Sequence, residues 1–225
     1  MTSARAQPAA RKGRAPAVSR KAKPPSRYHH GDLQRALIDE AVRTIQHHGV
    51  DALTLRAVAQ TLGVSRTALY RHFTDKSALL AAVAGEGFAT LRTALSRAWE
   101  DAGHGRRGFE AMGVAYVMFA VRHPSYYRVM FGGYLESAVA DSQLATEGAA
   151  AFQVLVDAIV EQQRDGLVRK DDPLQLALFI WALVHGVAML AIDGQLKHRE
   201  VDTEALARYA IERLQTGIGA TKDTK

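Results

Sequence analysis

Residues 54–76 (TLRAVAQTLGVSRTALYRHFTDK) constrain the fold of this chain more than any other segment, because two short helical patterns are separated there by one glycine. Thr54 can cap a first helix, whose apolar residues recur with the 3.6-residue period that places them on one face. Gly63 stands where the chain must turn through a left-handed conformation, which glycine adopts without strain. Ser65 can cap a second helix that runs to about Phe73. The segment predicts two helices joined by a tight turn.

The second of these helices has an outer face rich in hydrogen-bond donors. Leu69 and Phe73 point inward at a spacing of four residues. A short helix with many exposed donors suits the major groove of DNA, where each base pair presents its own pattern of donors and acceptors. The alternative is an ordinary amphipathic surface helix with scattered cations. The outward residues are Arg66, Thr67, Tyr70, Arg71 and His72.

The same segment resembles a known family. Residues 54–79 (TLRAVAQTLGVSRTALYRHFTDKSAL) are similar to the DNA-binding signature of the TetR/AcrR family of bacterial one-component transcriptional regulators. Residues 28–53 (YHHGDLQRALIDEAVRTIQHHGVDAL) resemble the opening helix of the same domain. The resemblance implies a three-helix DNA-binding head and a larger helical domain that dimerises and binds an effector.

Within the head, two kinds of DNA contact are expected. Arg66 and Arg71 can each pair bidentately with guanine, and Thr67 and Ala68 can touch a thymine methyl group or a phosphate. Phosphate contacts are expected from the remaining positions, of which Tyr70 and Lys76 are implied most directly by the family pattern. The full set of predicted DNA contacts is Thr54, Ser65, Arg66, Thr67, Ala68, Tyr70, Arg71, His72 and Lys76.

Charge is distributed unevenly along the chain. The net charge is +6, yet residues 1–27 contain eight lysines and arginines and no acidic residue, so the remainder is nearly neutral. Few large apolar residues accompany these charges, which predicts a disordered basic arm. Such an arm is either a solvated leader or a segment that follows phosphates or enters the minor groove.

Several classes of protein are disfavoured by composition. The chain has no cysteine, which excludes disulfides and thiolate metal sites and fits a reducing cytosol. The pairs His29-His30 and His47-His48 cannot converge on one ion, and we expect neither a metal nor another cofactor. The N-terminus lacks the apolar run of a secretory signal. The apolar run at 176–192 is interrupted and is interpreted as a buried or interface helix, so a cytoplasmic, nucleoid-associated protein is expected in a bacterial cell.

Helical periodicity extends over the rest of the chain and predicts an all-α fold of about nine helices. The predicted helices are 32–48, 55–62, 65–73, 78–101, a helix after 103–108 that ends at 122, 123–131, 141–165, 173–192 and 203–215. The predicted domains are a disordered basic arm at 1–27, a helix-turn-helix DNA-binding domain at 28–76, an effector-binding and dimerisation domain at 77–217, and a frayed tail at 218–225.

A second, local resemblance lies in the C-terminal two thirds. Trp181, His185 and Gly186 form a Trp-x-x-x-His-Gly element similar to one in the regulatory domain of a TetR subgroup, and residues 122–131 resemble the same subgroup. One interpretation is packing alone, with a buried histidine satisfied by a backbone carbonyl. The other is a cavity for a small apolar or aromatic effector. Its predicted lining is Tyr116, Phe119, Tyr127, Met130, Phe131, Trp181, His185 and Met189.

Two copies of the head are expected, because one short recognition helix offers too few base contacts for specificity. The dimer surface is assigned to the last two helices, whose apolar stripes would be hard to bury without a second copy. Its predicted residues are Leu176, Phe179, Ile180, Leu183, Leu206, Tyr209 and Leu214. The resulting hypothesis is a ligand-responsive repressor that binds a pseudo-palindromic operator as a homodimer. Two alternatives remain: a constitutive, sequence-tolerant DNA-binding protein, or a helical enzyme, for which no catalytic set of residues is found.

Overall fold

The computed structural model describes residues 30–135 and 142–219, and these residues form nine α-helices without a β-strand. The all-α fold class is therefore confirmed. The predicted basic arm and residues 220–225 of the predicted tail lie outside the described part of the chain. The helices are α1 (His30–His48), α2 (Leu55–Thr61), α3 (Arg66–Tyr70), α4 (Lys76–Asp101), α5 (Gly105–Arg122), α6 (Pro124–Phe131), α7 (Ser142–Arg164), α8 (Pro173–Ile192) and α9 (Thr203–Ile218).

Side-chain caps fix where several helices begin. Thr54 and Ser65 accept hydrogen bonds from backbone amides three residues ahead, as their positions before the two short helices predict. Asp75 caps α4, which therefore begins at Lys76, two residues earlier than its apolar pattern suggests. Asp172 caps α8 directly before a proline in the first turn.

Two helix ends differ from the sequence-based expectation. α3 ends at Tyr70 instead of continuing to Phe73, because the amides of His72 and Phe73 both bond to the carbonyl of Leu69 and tighten the chain. α9 continues to Ile218, which is buried, and Gly219 then pairs with Val168 in an isolated antiparallel bridge. The bridge fastens the end of the last helix to the α7–α8 connection.

The first three helices form a small head around their own apolar centre. Leu37 of α1, Leu53 before α2 and Leu69 of α3 are almost completely buried there. α4 continues this core through Leu79 and then runs away from the head into the rest of the molecule. One long helix is thus shared by both parts of the fold.

The remaining helices form a bundle, the body, in which α5 contacts α4, α8 and α9, while α4 also contacts α6 and α7. Two glycines permit close approach of helices. A Cβ atom added at Gly113 of α5 would lie 2.5 Å from a side-chain carbon of Ile211 on α9. At Gly87 of α4 it would lie 2.5 Å from the sulfur of Met130 on α6. A larger residue at Gly113 would force Ile211 to move, whereas at Gly87 the flexible side chain of Met130 could shift instead.

By length and composition alone, α4 and α8 could each cross a membrane. Both nevertheless pack within the bundle, where α4 buries residues such as Leu91 and Leu95 and α8 buries Ile180 and Val184. Core helices of water-soluble bundles pass the same test of length and hydropathy. This packing accounts for the apolar residues of α4 that are buried and for one side of α8.

Candidate DNA interface and apolar cavity

The outer face of α3 carries the side chains expected to contact DNA. Ser65 Oγ accepts a hydrogen bond from the amide of Ala68 at 3.1 Å, which fixes the first turn of the helix. Leu69 anchors the inner face in the head core, so the opposite face must turn outward. Tyr70 is 53% exposed on this face. An open surface groove on this face is lined by Arg66, Thr67, Tyr70 and Arg71.

The other predicted DNA contacts do not line this groove, and they differ in burial. The hydroxyl oxygen of Thr54 accepts a hydrogen bond from the amide of Ala57 at 3.1 Å, and its proton remains free to donate. Ala68 and His72 are half-buried at the edge of α3, whereas Ser65 is exposed. His72 lines a separate hollow together with residues such as Gln34 of α1 and Glu86 of α4.

Lys76 has a structural role that the sequence did not reveal. Its Nζ donates to the carbonyl oxygen of Val50 at 2.8 Å and approaches that of Asp51 at 3.5 Å. Lys76 therefore fastens the start of α4 to the connection between α1 and α2. An ammonium group has three donors, so one stays available to a phosphate.

A cavity of about 330 Å³ lies in the body among α4, α5, α6, α7 and α8. Its walls are almost entirely apolar, and its size is at the lower end of small-molecule sites. Three of the eight residues assigned to an effector pocket from sequence line it: Tyr116, Phe131 and Trp181. The complete lining is Phe88, Leu91, Leu95, Tyr116, Phe131, Gly148, Ala151, Phe152, Leu155, Leu178, Trp181 and Val184.

The other five assigned residues lie elsewhere. Phe119 and Met130 are buried in the core, and Met189 is 37% exposed on the outside of α8. Tyr127 and His185 do not line the cavity but contact Tyr116, which does. The wall residues that sequence reasoning missed come from α4 and α7, with Leu178 and Val184 of α8, since periodicity shows which face of a helix is apolar without showing which helix it meets.

A hydrogen-bonded chain of four side chains closes one end of the cavity. Trp181 Nε1 donates to Tyr116 Oη at 2.8 Å, the hydroxyls of Tyr116 and Tyr127 are 3.1 Å apart, and Tyr127 Oη lies 2.7 Å from His185 Nδ1. The Nδ1 atom of His185 is thus partnered by tyrosine hydroxyls, and not by the backbone carbonyl that the packing interpretation gave this histidine. Burial lowers the pKa of His185 and raises that of Tyr116 to about 12, so both are uncharged at neutral pH.

A polar contact connects the head with the body. Arg35 of α1 donates to Glu86 of α4 at 3.1 Å, and the hydroxyl of Tyr126 of α6 donates to the same carboxylate at 3.2 Å. Glu86 is half-buried, so water screens this contact less than it would on an open surface. Three helices therefore meet at one carboxylate, a feature that no motif in the sequence indicated.

The proposed dimer residues need correction in part. Leu176, Ile180 and Leu214 are buried inside the chain, so they belong to the core and cannot form a surface for a second copy. The sequence pattern predicts one apolar stripe on α8, but this helix is apolar nearly all round and buries one side itself. Phe179 is 59% exposed and Tyr209 is 56% exposed, while Leu183 and Leu206 are partly buried against the core.

One side of α8 exposes several large apolar residues. Leu178, Leu190 and Met189 join Phe179 on it, and an added Cβ at Gly186 would meet no atom within 4 Å.

Among the described residues, no group of three or more His, Asp or Glu side chains could hold a metal ion.

Comparison with known proteins agrees with this architecture. Residues 37–83 match the model described as bacterial regulatory proteins of the tetR family, and residues 109–214 match a tetracyclin repressor-like C-terminal domain. The uncharacterized HTH-type transcriptional regulator YobS of Bacillus subtilis is 30% identical over 191 residues, which cover 84% of this chain and 93% of the relative. An uncharacterized HTH-type transcriptional regulator of Mycobacterium tuberculosis is 28% identical over 188 residues, covering 82% of this chain and 81% of the relative.

A solved structure extends the similarity to three dimensions. A protein of unknown function from Rhodococcus sp. RHA1 is 36% identical and superposes with a TM-score of 0.77, covering 86% of this chain and 98% of that one. The family models divide the chain into the same head and body that the helices form. With its helix-turn-helix head and its helical body, the chain belongs to the TetR family and is a DNA-binding transcriptional regulator, not an enzyme.

Proposed function

We propose that this regulator is a ligand-responsive repressor, which acts in the bacterial cytoplasm and binds a pseudo-palindromic operator as a homodimer. The observation that best supports the proposal is a donor-rich recognition face and an apolar cavity in one chain, joined by α4. The match of the body to a tetracyclin repressor-like domain favours repression over activation. A constitutive DNA-binding protein would have no use for the cavity.

Operator recognition is assigned to the outer face of α3. Arg66 and Arg71 are exposed there and have the geometry to pair with guanine, while Tyr70 stands between them to reach a phosphate. Thr67 and Ala68 are the residues for apolar contact with thymine. Lys76 supports this surface from behind through its bond to Val50 and adds its charge to the phosphate contacts.

Dimerisation is assigned to the exposed side of α8 together with α9. Phe179 and Tyr209 leave large apolar areas in water in the isolated chain, which association of two copies would remove. Gly186 lies open in the same stripe, where the absence of a side chain lets another helix approach closely. A twofold arrangement of two heads predicts an operator with two inverted half-sites.

The route from cavity to head runs through α4 and α6. Phe88 of α4 and Phe131 of α6 both line the cavity and pack edge to face with ring centres 5.5 Å apart. On the same two helices, Glu86 and Tyr126 hold Arg35 of the head. A ligand that moves α6 against α4 therefore changes the angle of the head. Such a ligand acts only if it binds the two arrangements with different affinity.

The proposal is tested with Phe179→Glu, which puts a charge in the assigned dimer surface without touching the head. We expect this variant to sediment as a monomer and to bind an operator duplex, recovered by selection from random DNA, at least tenfold more weakly. Val160→Glu on α7 is the matched control, because Val160 is another exposed apolar residue, 37% exposed, outside the assigned surface. A dimeric Phe179→Glu protein with normal affinity would contradict the assigned interface.

A further inference from the structure

The cavity offers a bound molecule almost no polar partners. None of the described residues that line it carries a charge, and the side-chain nitrogen and oxygen atoms in its lining belong to Tyr116 and Trp181 alone. A carboxylate, phosphate or ammonium group placed there would lose its hydration and find no counter-charge. The chemistry of the walls thus excludes ligands that bury a charged group.

The hydrogen bonds at the polar end of the cavity can run in either of two directions. The indole of Trp181 can only donate, and it donates to Tyr116. If His185 Nδ1 accepts, the two tyrosine protons run from Tyr116 to Tyr127 to His185, and Tyr116 presents a lone pair to the cavity. If His185 Nδ1 carries the proton, the order reverses, and the hydroxyl proton of Tyr116 is free to donate. Both arrangements use the two shorter separations, 3.1 Å between the hydroxyls and 2.7 Å from Tyr127 Oη to His185 Nδ1, while Tyr116 Oη lies 3.3 Å from the same nitrogen.

We propose that the cavity binds a neutral, mainly apolar molecule with one alcohol or carbonyl oxygen at Tyr116. Reversal of the Tyr116–Tyr127–His185 hydrogen bonds lets the site bind both an alcohol and a carbonyl compound. The inference rests on the proposed function, in which the cavity is the effector site. The cavity volume of about 330 Å³ sets the size of the ligand. At roughly 30 Å³ for each non-hydrogen atom, the volume that one water molecule takes in the liquid, the ligand has on the order of ten such atoms.

The side chains of Tyr116, Tyr127 and His185 are uncharged, which supports this choice of a neutral ligand. Burial raises the pKa of both tyrosines and lowers that of His185, so none of these three side chains offers a charge at neutral pH. Tyr127 is fully buried and Tyr116 is 6% exposed, so water cannot replace their hydrogen bonds easily. The aromatic rings of Phe88, Phe131 and Phe152 complete walls that suit a ring or a short chain.

The test is calorimetric titration of the full-length protein with five probes that share a phenylbutyl skeleton. They are butylbenzene, 4-phenyl-1-butanol, 4-phenyl-2-butanone, 4-phenylbutanoate and 4-phenylbutylamine. We expect the alcohol and the ketone to bind about 3- to 10-fold more tightly than butylbenzene, the factor that corresponds to one neutral hydrogen bond. The anion and the cation should bind more weakly than butylbenzene.

Two variants locate the hydrogen bond. Tyr116→Phe should remove the advantage of the alcohol and the ketone while butylbenzene binds as before. Tyr127→Phe should retain ketone binding, because the only remaining competitor for the proton of Tyr116 is then His185 Nδ1, at the longer distance of 3.3 Å. Tyr134→Phe is the control, since this tyrosine lies outside the cavity and is 38% exposed.

The outcomes separate the two levels of the proposal. Tightest binding of the anion or the cation would overturn the ligand class and leave the cavity as an effector site. An alcohol advantage that survives Tyr116→Phe would overturn the assigned contact, even if the wild-type ranking were as expected. Absence of binding by all five probes would overturn the effector site itself and, with it, the ligand-responsive part of the proposed function.

Discussion

Lys76→Met separates the structural role of Lys76 from its expected role on DNA. Methionine keeps the length and the apolar stem of the side chain but loses the ammonium that donates to Val50 at 2.8 Å. A hydrogen bond from a charged donor contributes about 1.5–3 kcal/mol to stability. Since Lys76 is half-buried and water can reach the carbonyl, we expect a loss near the lower end, about 1–2 kcal/mol.

Thermal unfolding followed by circular dichroism measures this loss. For a chain of this length that unfolds as one unit, about 1–2 kcal/mol corresponds to a decrease in Tm of roughly 2–8 °C. Binding to a selected operator duplex is then measured over a range of salt concentrations. If the third donor of Lys76 meets a phosphate in both heads of a bound dimer, the slope of log affinity against log salt should decrease in magnitude by about 1.8, about 0.9 for each head.

Lys170→Met is the matched control, because Lys170 is exposed in the α7–α8 connection, far along the chain from the head. It should change neither the Tm nor the salt slope. An unchanged Tm in Lys76→Met would refute the structural role of the bond to Val50. An unchanged slope with a lowered Tm would leave the structural role and remove the phosphate contact.

Three further predictions concern other parts of the chain. Hydrogen bonds to Glu100 and Glu161 raise the pKa of His104, so its stabilising charge is present below pH 6.5 and lost as the pH rises through the raised value. His104→Asn should therefore lower the Tm more at pH 6 than at pH 9. Trp181→Ala should cost about 2–3 kcal/mol by denaturant unfolding, less than a fully buried indole, because the ring already borders a cavity. Deletion of residues 1–26 should reduce the salt slope of DNA binding while the dimer persists; an unchanged slope would show that the arm does not meet phosphate.

Local chemistry explains why the helix-turn-helix could be predicted from sequence. Thr54, Ser65 and Asp75 cap helices through atoms that lie within a few residues, and Gly63 adopts the left-handed conformation, with φ +66°, that the turn requires. Pro173 marks the beginning of α8 in the same way. Each of these signals acts over one turn of helix, so a linear sequence contains it completely.

The cavity and the contacts around it could be predicted only in part, because they depend on which helices meet. Trp181 and Phe131 were assigned to the pocket from their motif, but Phe88 of α4 and Phe152 of α7 carry no local mark that directs them to the same space. The core position of Ile180 likewise follows from the neighbours of α8, since this helix is apolar on both sides. Packing partners are a property of the whole fold, which periodicity does not encode.

The most direct test of the account is selection of bound duplexes from random DNA by the wild-type protein and by Arg66→Ala. The account predicts that the wild type enriches one sequence with two inverted half-sites, and that Arg66→Ala costs about 1–3 kcal/mol on it and relaxes the preference at particular base pairs. Arg97→Ala removes an equally exposed charge from α4 and should behave as the wild type. Enrichment of no sequence by the wild type, or the same sequence with the same affinity for Arg66→Ala, would contradict operator recognition by α3.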